Sequence, residues 1–277
     1  MCTRRVNVPK ITSIALQKGD RHRYNIYLDG EFFLGLSENV LVHLGLYKGM
    51  EISKQEIEEV KELEQDAQLK TLAMRYLERR LRTEQEVRDH LKEESEDLDR
   101  IERIVAQIKE MGYINDLVYA ESYVRTQMRV QKLGPKAISR ELIKKGVPLE
   151  DVQKAEGEYK KEIQLANAVY LAGKTARSKK SLSDRQIHQK MQEHLIKKGY
   201  SSDVIQEAID QVDLTDLLEN QKDRLIQAGE KAYRTYQSKA SGKELRRKVY
   251  QSLLRKGFSS EDIANWLSEL PLEGDAE

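Results

Sequence analysis

The chain has 277 residues, of which 34% are charged and 39% are hydrophobic, and its formal net charge at pH 7 is +1. This length exceeds what one small core requires and allows several folding units. A net charge near zero excludes a strong global attraction to polyanions, so any such attraction has to come from local clusters of charge. The single cysteine, Cys2, excludes an intramolecular disulfide and a paired-cysteine metal site, which indicates a reducing compartment.

Targeting signals are not recognisable in the sequence. Apolar runs stay shorter than the roughly 18 residues of a membrane-spanning helix. The N-terminal residues are not followed by the apolar stretch of a signal peptide. We therefore expect a cytoplasmic protein without a membrane partner.

The first part of the chain predicts a small β module. Apolar and polar side chains alternate on both sides of Asp29-Gly30. An Asp-Gly pair between two alternating runs indicates a β-hairpin, because both turn residues adopt positive φ. The other predicted elements are a third strand, a short helix and a closing strand, over residues 11–17, 37–44 and 48–52. We expect residues 1–52 to form a hairpin-containing module that can be separated from the rest near Gln65.

Beyond Ser53 the apolar period is helical, and one phrase occurs three times. It reads LIKKG over residues 142–146, LIKKG over residues 195–199 and LLRKG over residues 253–257. Recurrence at a period of roughly 55 residues is typical of a repeat protein, in which each unit packs on its neighbours. This pattern favours a function based on surfaces over one based on a single pocket.

Helix starts divide this region into units. Three of them fit the capping box, at Thr83-x-x-Glu86, Ser183-x-x-Gln186 and Ser241-x-x-Glu244. In such a box the hydroxyl and the third side chain each satisfy an unpaired backbone amide. Gly134-Pro135 takes the equivalent place in the remaining unit, since proline is favoured at the first helical position. Four three-helix repeats are therefore predicted, over residues 53–114, 115–160, 161–214 and 215–277.

The predicted fold class is mainly α, with tandem three-helix repeats in a curved array behind a small N-terminal β-rich module. The first repeat departs from the others. After Leu91 it continues with Lys-Glu-Glu-Ser in place of Lys-Lys-Gly.

Charge is sorted by helix, since the first two helices of each repeat are rich in lysine and arginine and the third is acidic. A basic edge of the array would suit phosphate, whereas the alternative is a solvated surface whose charges pair between helices. Arg75, Arg79 and Arg82 have the spacing of a stripe on one helix face. The candidates for contact with DNA or a partner are Arg75, Arg79, Arg80, Arg82, Arg125, Arg129, Lys132, Lys136, Arg140, Lys144, Lys145, Lys174, Arg177, Lys190, Lys197 and Lys198.

Catalytic and metal-binding patterns are missing from the sequence. His188 and His194 are six residues apart, which does not place them on one face of a helix. Motifs of zinc proteases, nucleotide-binding loops and nucleophile elbows are missing as well. We expect no catalytic residue, no metal and no cofactor. Tyrosines of the first helices, such as Tyr76, Tyr119 and Tyr170, are interpreted as core residues, with base stacking as the alternative.

Several segments, taken together, resemble the RecX family. They read LKTLAMRYL over residues 69–77, RTEQEVR over residues 82–88, and GYINDLVYA over residues 112–120, followed by Gly134-Pro135. The resemblance extends from about Lys10 to Leu270. The β module is similar to the N-terminal extension of the longer, Gram-positive-type members. Short members have three helical repeats, whereas four are predicted for this chain.

The resemblance implies a regulator of the RecA recombinase that acts in DNA repair, recombination and the SOS response, and not an enzyme. Members of the family bind along the groove of the RecA–single-stranded DNA filament. There they restrain strand exchange, ATP hydrolysis and coprotease activity. The implied partners are the RecA nucleoprotein filament and single-stranded DNA, with double-stranded DNA left open, and a monomer is expected.

Two other functions remain open from the residues alone. One is a stand-alone DNA-binding protein built of tandem helix hairpins, and the other is a hydrolase with a site between repeats. Binding to naked DNA and to preformed filaments distinguishes the first from a filament regulator. Loss of all activity on further purification would exclude the second.

Overall fold

The computed structural model describes residues 8–179, 182–213 and 221–270. Cys2 and the repeat boundary expected between residues 214 and 215 lie outside these ranges. Contacts divide the chain into two compact units. The first comprises residues 1–119 with residues 145–147, and the second comprises residues 120–144 with residues 148–277.

The β module is a three-stranded antiparallel sheet in the order β1-β2-β3. Its strands span Ile11–Leu16, Arg23–Leu28 and Glu31–Ser37. The predicted hairpin turn is confirmed, because Asp29 and Gly30 have φ of 50° and 93°. The predicted closing strand is wrong, since residues 48–52 form no strand and, within the described residues, make one isolated bridge, between Glu51 and Lys10. Gly49 turns the chain there with a φ of 99°.

The short helix α1 (Glu38–His43) and the long helix α2 (Lys54–Glu78) complete this region. Ser53 and Glu56 form a capping box at the start of α2, and the helix then runs unbroken through the acidic segment. Its early residue Val60 packs in the core of the β module, whereas Leu69 and Ala73 pack in the core of the first repeat. One helix therefore contributes to both cores, which argues against the expected separation near Gln65.

Twelve helices, taken in threes, form the four repeats within the described residues. The first helices are α2, α5 (Asp116–Thr126), α8 (Lys161–Ser178) and α11 (Gln221–Tyr236). The second helices are α3 (Glu84–Lys92), α6 (Pro135–Lys144), α9 (Asp184–Lys198) and α12 (Gly242–Arg255). The third helices are α4 (Leu98–Glu110), α7 (Leu149–Glu156), α10 (Ser202–Asp210) and α13 (Ser260–Ser268). The prediction of a mainly α protein of three-helix repeats is confirmed.

Only one of the three predicted capping boxes is complete. Thr83 and Glu86 make both reciprocal bonds. Ser183 accepts from the amide of Gln186, but the Gln186 side chain donates instead to the carbonyl of Arg255, 3.1 Å away. Ser241 makes no side-chain cap bond. The box at Ser183 is incomplete because its third side chain is used in a contact with another helix end.

The glycine of the repeated phrase ends a helix in every copy. Gly146, Gly199 and Gly257 have φ of 79°, 89° and 84°, in the left-handed region that glycine adopts at low cost. A Cβ atom at these positions would lie 2.3, 2.4 and 2.3 Å from atoms of residues at the start of another second helix. Glycine is therefore required for both the backbone conformation and the close approach.

Hydrogen bonds join these helix ends within the second unit. The amide of Gly134 donates to the carbonyl of Lys198 at 2.8 Å, and the amide of Lys136 donates to that of Gly199 at 3.1 Å. The end of α9 thereby supplies acceptors to the start of α6, where the first amides of a helix have no partner of their own. The partial charges of the two helix ends are also of opposite sign, which favours the contact.

Related hydrogen bonds join helix ends at two other places, and we call each of the three contacts a helix-end joint. The amide of Ser183 donates to the carbonyl of Lys256 at 3.1 Å. Within the first unit, the hydroxyl of Thr83 donates to the carbonyl of Lys145 at 2.7 Å. The phrase therefore recurs because each copy forms one half of such a joint.

Candidate nucleic-acid and protein interface

Most of the candidate basic residues fall into two groups in the structure, and Arg82, Lys132 and Lys198 belong to neither. In the first group the cation has a carboxylate partner. Arg125 lies 2.9 Å from Glu158, Lys145 lies 3.1 Å from Glu86, and Lys190 lies 2.7 Å from Glu193. The longer pairs join Lys144 to Glu141 at 3.4 Å and Arg80 to Glu86 at 3.8 Å. These cations are partly neutralised within the chain.

The second group is exposed and has no carboxylate within ion-pair distance among the described residues. It comprises Arg75, Arg79, Arg129, Lys136, Arg140, Lys174, Arg177 and Lys197. Exposed cations without a local partner remain available to phosphate or to acidic side chains of another protein.

The predicted stripe of Arg75, Arg79 and Arg82 on one helix face is wrong. Helix α2 ends at Glu78, so that Arg82 lies in the segment between two helices. The guanidinium of Arg82 packs 3.9 Å from the centre of the Tyr76 ring, on which His90 also stacks at 4.1 Å. The Nε atom of Arg82 is buried without a hydrogen-bond partner in the structure described. Arg82 is thus a packing residue, while Arg75 and Arg79 are exposed.

Lys132 also has an internal role. It ends a short π-helical turn (Gln127–Gln131) with a φ of 48°. Its ammonium group donates to the Oδ1 of Asn167 at 3.0 Å and lies 5.1 Å from the ring of Tyr170. The hydroxyl of Tyr200 donates to the carbonyl of Lys132 at 2.9 Å. This network ties α8 and the residue Tyr200 beyond the end of α9 to the end of the π-helical turn, so Lys132 has an internal role instead of being free for direct contact.

The tyrosines divide between core and surface. Tyr119 is buried, as predicted, and the ammonium of Lys145 lies 5.9 Å from its ring. Tyr76 is half-buried. Tyr170 is 52% exposed, so its assignment to the core is wrong. Its ring instead borders the ammonium group of Lys132.

Three lysines, Lys174, Lys197 and Lys198, lie near the imidazole of His194 in the third repeat. We call the four residues the His194 cluster. Burial lowers the pKa of His194, and the charges of Lys198, Lys197 and Lys174 lower it further. The imidazole is therefore neutral near pH 7, and the local positive potential comes from the lysines.

Hydrogen bonds fix the orientation of the His194 ring. Its Nδ1 lies 2.7 Å from the Oγ1 of Thr175, and that hydroxyl lies 2.8 Å from the carbonyl of Leu171. Because the single hydroxyl proton of Thr175 is donated to Leu171, Oγ1 accepts a bond from Nδ1–H. The Nε2 atom of the neutral ring then carries no proton.

The lysines of the cluster differ in their exposure and in their hydrogen-bond partners. Lys198 donates to the carbonyl of Gln131 at 3.1 Å, whereas Lys174 and Lys197 are exposed and have no ion pair among the described residues. Arg177 lies three residues beyond Lys174 on α8, so it faces the same side. Helices α8 and α9 therefore bring four of the predicted basic residues onto one part of the third repeat.

His194 is not among the predicted site residues, because its spacing from His188 indicated no metal pair. Its partial burial and its contact with Thr175 fit a packing residue that lies among the lysines. Its partner Thr175 lies in the preceding helix, and no local pattern connects the two. Only the packing of α8 on α9 shows that His194 lies among the lysines.

Other classes of site find little support in the parts of the chain that are described. No helix in these ranges is long and apolar enough to cross a membrane. Over the same residues, no group of three histidine, cysteine or acidic side chains is arranged to hold a metal ion.

The fold and this surface define a class of protein. It is a helical-repeat protein with a small β module, helix-end joints and exposed basic side chains. Family models match most of the chain. They are described as the RecX N-terminal domain over residues 9–53 and the first, second and third RecX three-helix domains over residues 70–107, 115–155 and 162–209. The third-domain model matches again over residues 219–267.

The chain belongs to the RecX family of regulatory proteins. It is 34% identical over 267 residues to the regulatory protein RecX of Listeria welshimeri, covering 94% of this chain and 96% of that one. It is 36% identical over 268 residues to the RecX of Bacillus cytotoxicus, covering 95% and 99%.

Solved structures of similar proteins share the fold. A crystal structure of a regulatory protein RecX has a TM-score of 0.67 and 33% identity, covering 74% of this chain and 100% of that one. The crystal structure of RecX from Lactobacillus salivarius has a TM-score of 0.52 and 36% identity, covering 54% and 97%.

Proposed function

We propose that this protein regulates homologous recombination by binding the RecA–single-stranded DNA filament in the cytoplasm. There it restrains strand exchange, ATP hydrolysis and coprotease activity. Membership of a family of regulatory proteins supports this role. Among the observations on the chain itself, the His194 cluster carries the proposal, because its lysines can neutralise phosphate groups of filament DNA.

The repeats suit a partner that is itself repetitive. A filament presents the same protein and DNA surfaces at regular intervals. Several modest contacts from one chain then act together, because each later contact forms at the high local concentration set by the first. A monomer with four repeats can use this effect without an enzymatic step.

Affinity for preformed filaments tests this proposal. We expect the double variant Lys174→Glu, Lys197→Glu to bind RecA–single-stranded DNA filaments at least about tenfold more weakly than wild type, because phosphate contacts become repulsive. Inhibition of strand exchange should fall in parallel.

The matched control is Lys18→Glu with Lys48→Glu. This pair makes the same change of net charge at exposed lysines of the β module that have no ion pair among the described residues. The control should bind filaments like wild type. Equal loss in both double variants would show a dependence on net charge and not on the His194 cluster.

The alternative is a DNA-binding protein that needs no RecA. The His194 cluster itself favours it, since three lysines can contact phosphate whether or not RecA coats the DNA. Affinity for naked DNA equal to that for filaments, together with no effect on strand exchange, would establish the alternative.

A further inference from the structure

The second residue of the repeated phrase is an aliphatic side chain that lies on the surface in every copy. Ile143, Ile196 and Leu254 are 51%, 57% and 39% exposed. The leucine immediately before each of them is fully buried. The residue immediately after each is an exposed cation: Lys144, Lys197 and Arg255, respectively.

Single exposed aliphatic residues are common on protein surfaces and require no explanation. Here the exposed residue occupies one position of the second helix in three successive repeats. The leucine of the phrase packs in the core, and the glycine closes a helix-end joint. The exposed aliphatic residue is the member of the phrase for which no packing role is found within the described chain.

The first repeat has Lys92 at the corresponding position and lacks the glycine end. The aliphatic position and the glycine thus occur together or not at all.

We infer that Ile143, Ile196 and Leu254 are anchor residues for protein subunits of the bound filament. This inference rests on the proposed function and adds the part of the partner that these residues contact. Each anchor would enter a shallow apolar pocket of the partner, beside a carboxylate that pairs with the adjacent lysine or arginine.

The chemistry of the pair selects protein over nucleic acid. A phosphate group attracts the cation but gains nothing from a branched aliphatic side chain next to it. An apolar pocket with an acidic rim is complementary to both side chains, because burial removes apolar surface from water and the charges pair. Recurrence of the pair suits successive, identical subunits, each of which offers the same pocket.

The test is a triple variant, Ile143→Ala, Ile196→Ala, Leu254→Ala, compared with wild type. Alanine retains helix propensity, and all three side chains are exposed, so the fold is preserved. A matched control replaces exposed aliphatic residues elsewhere: Val42, Leu98 and Leu149, which are 71%, 59% and 59% exposed. Affinities are measured for preformed RecA–single-stranded DNA filaments and for naked single-stranded DNA.

The triple variant should bind filaments more weakly by about a hundredfold or more, since loss of one buried anchor commonly costs about tenfold. Its affinity for naked DNA and its circular dichroism spectrum should equal those of wild type, and the control variant should bind filaments normally. Wild-type affinity of the triple variant for filaments would overturn the inference. An equal loss on naked DNA would also overturn it, since it would place the anchors on nucleic acid.

Failure of the proposed function gives a different result. In that case wild-type protein itself would bind filaments no better than naked DNA, and the inference would fall with it. If wild type prefers filaments and the triple variant fully keeps that preference, the inference about the anchors is refuted while the proposed function stands.

Discussion

At the scale of single residues, the glycines of the repeated phrase combine two requirements. Gly199 needs a positive φ, and it also needs the absence of a side chain where it meets Ala137. Gly45 shares only the first requirement, because its φ is 58° and a Cβ atom there would meet no atom within 4 Å. Comparing substitutions at the two glycines therefore separates the free-energy cost of backbone strain from the cost of overpacking.

Gly199→Ala should lower the free energy of unfolding by about 2 kcal/mol more than Gly45→Ala, because the added methyl group overpacks the joint in addition to straining the backbone. Urea denaturation of both variants measures the difference. If both variants lose the same free energy of unfolding, the close approach of Gly199 to Ala137 does not exist in solution.

At the scale of elements, α2 connects two cores through a buried carboxylate. Glu64 is 1% exposed; its Oε1 lies 2.8 Å from the guanidinium of Arg23, and its Oε2 accepts a hydrogen bond from the amide of Ser37 at 2.8 Å. These bonds attach the helix to strands β2 and β3 by polar contacts as well as by apolar packing.

Glu64→Ala should reduce the free energy of unfolding by about 3 kcal/mol, because it leaves the half-buried Arg23 without its carboxylate and the Ser37 amide without its acceptor. Glu59→Ala, at an exposed position of the same helix, is the control and should change stability by less than about 0.5 kcal/mol. Thermal unfolding followed by circular dichroism measures both. A small loss in Glu64→Ala would mean that the β module contributes little to the stability of α2.

Local sequence patterns predicted those elements whose causes are local. The hairpin at Asp29-Gly30 follows from turn geometry, and the helix start at Thr83 follows from a capping box that is complete within four residues. From the sequence alone, the first half of α2 resembles a polar linker. Its buried residue Glu64 is explained only by Arg23, which lies in a strand far earlier in the chain. The capping box at Ser183 is incomplete for a similar reason, since Gln186 reaches another helix end.

The candidate site was predictable in residue type but not in geometry. Composition identifies the basic segments, whereas pairing decides which cations remain available. Lys145 is engaged by Glu86 of α3, and Arg125 is engaged by Glu158 in the turn after α7. Nothing in the segments around these two cations indicates either pairing. The His194 cluster depends in the same way on the packing of α8 against α9.

At the scale of the whole molecule, near-neutral net charge coexists with local basic clusters. Binding to single-stranded DNA should therefore depend on salt through the few cations that contact phosphate. The logarithm of the binding constant should fall linearly with the logarithm of salt concentration.

The variant Lys174→Ala, Lys197→Ala should make this salt slope shallower by about 1.4, since each phosphate contact to a single strand contributes about 0.7. Fluorescence anisotropy titrations over a range of salt concentrations measure the slope. Lys18→Ala with Lys48→Ala should leave it unchanged. An unchanged slope in the first variant would exclude Lys174 and Lys197 from phosphate contact.

The helix-end joint also bears on how such a chain can lengthen. The third repeat, for example, carries both halves of the joint: a glycine end at Gly199 and a helix start at Ser183 that receives such an end. A duplicated segment of one repeat would bring both halves with it and could join its neighbours without compensating changes in them. The third-domain family model matches residues 162–209 and again residues 219–267. This is expected if the chain lengthened by duplication of a repeat whose copies could form a helix-end joint with each other.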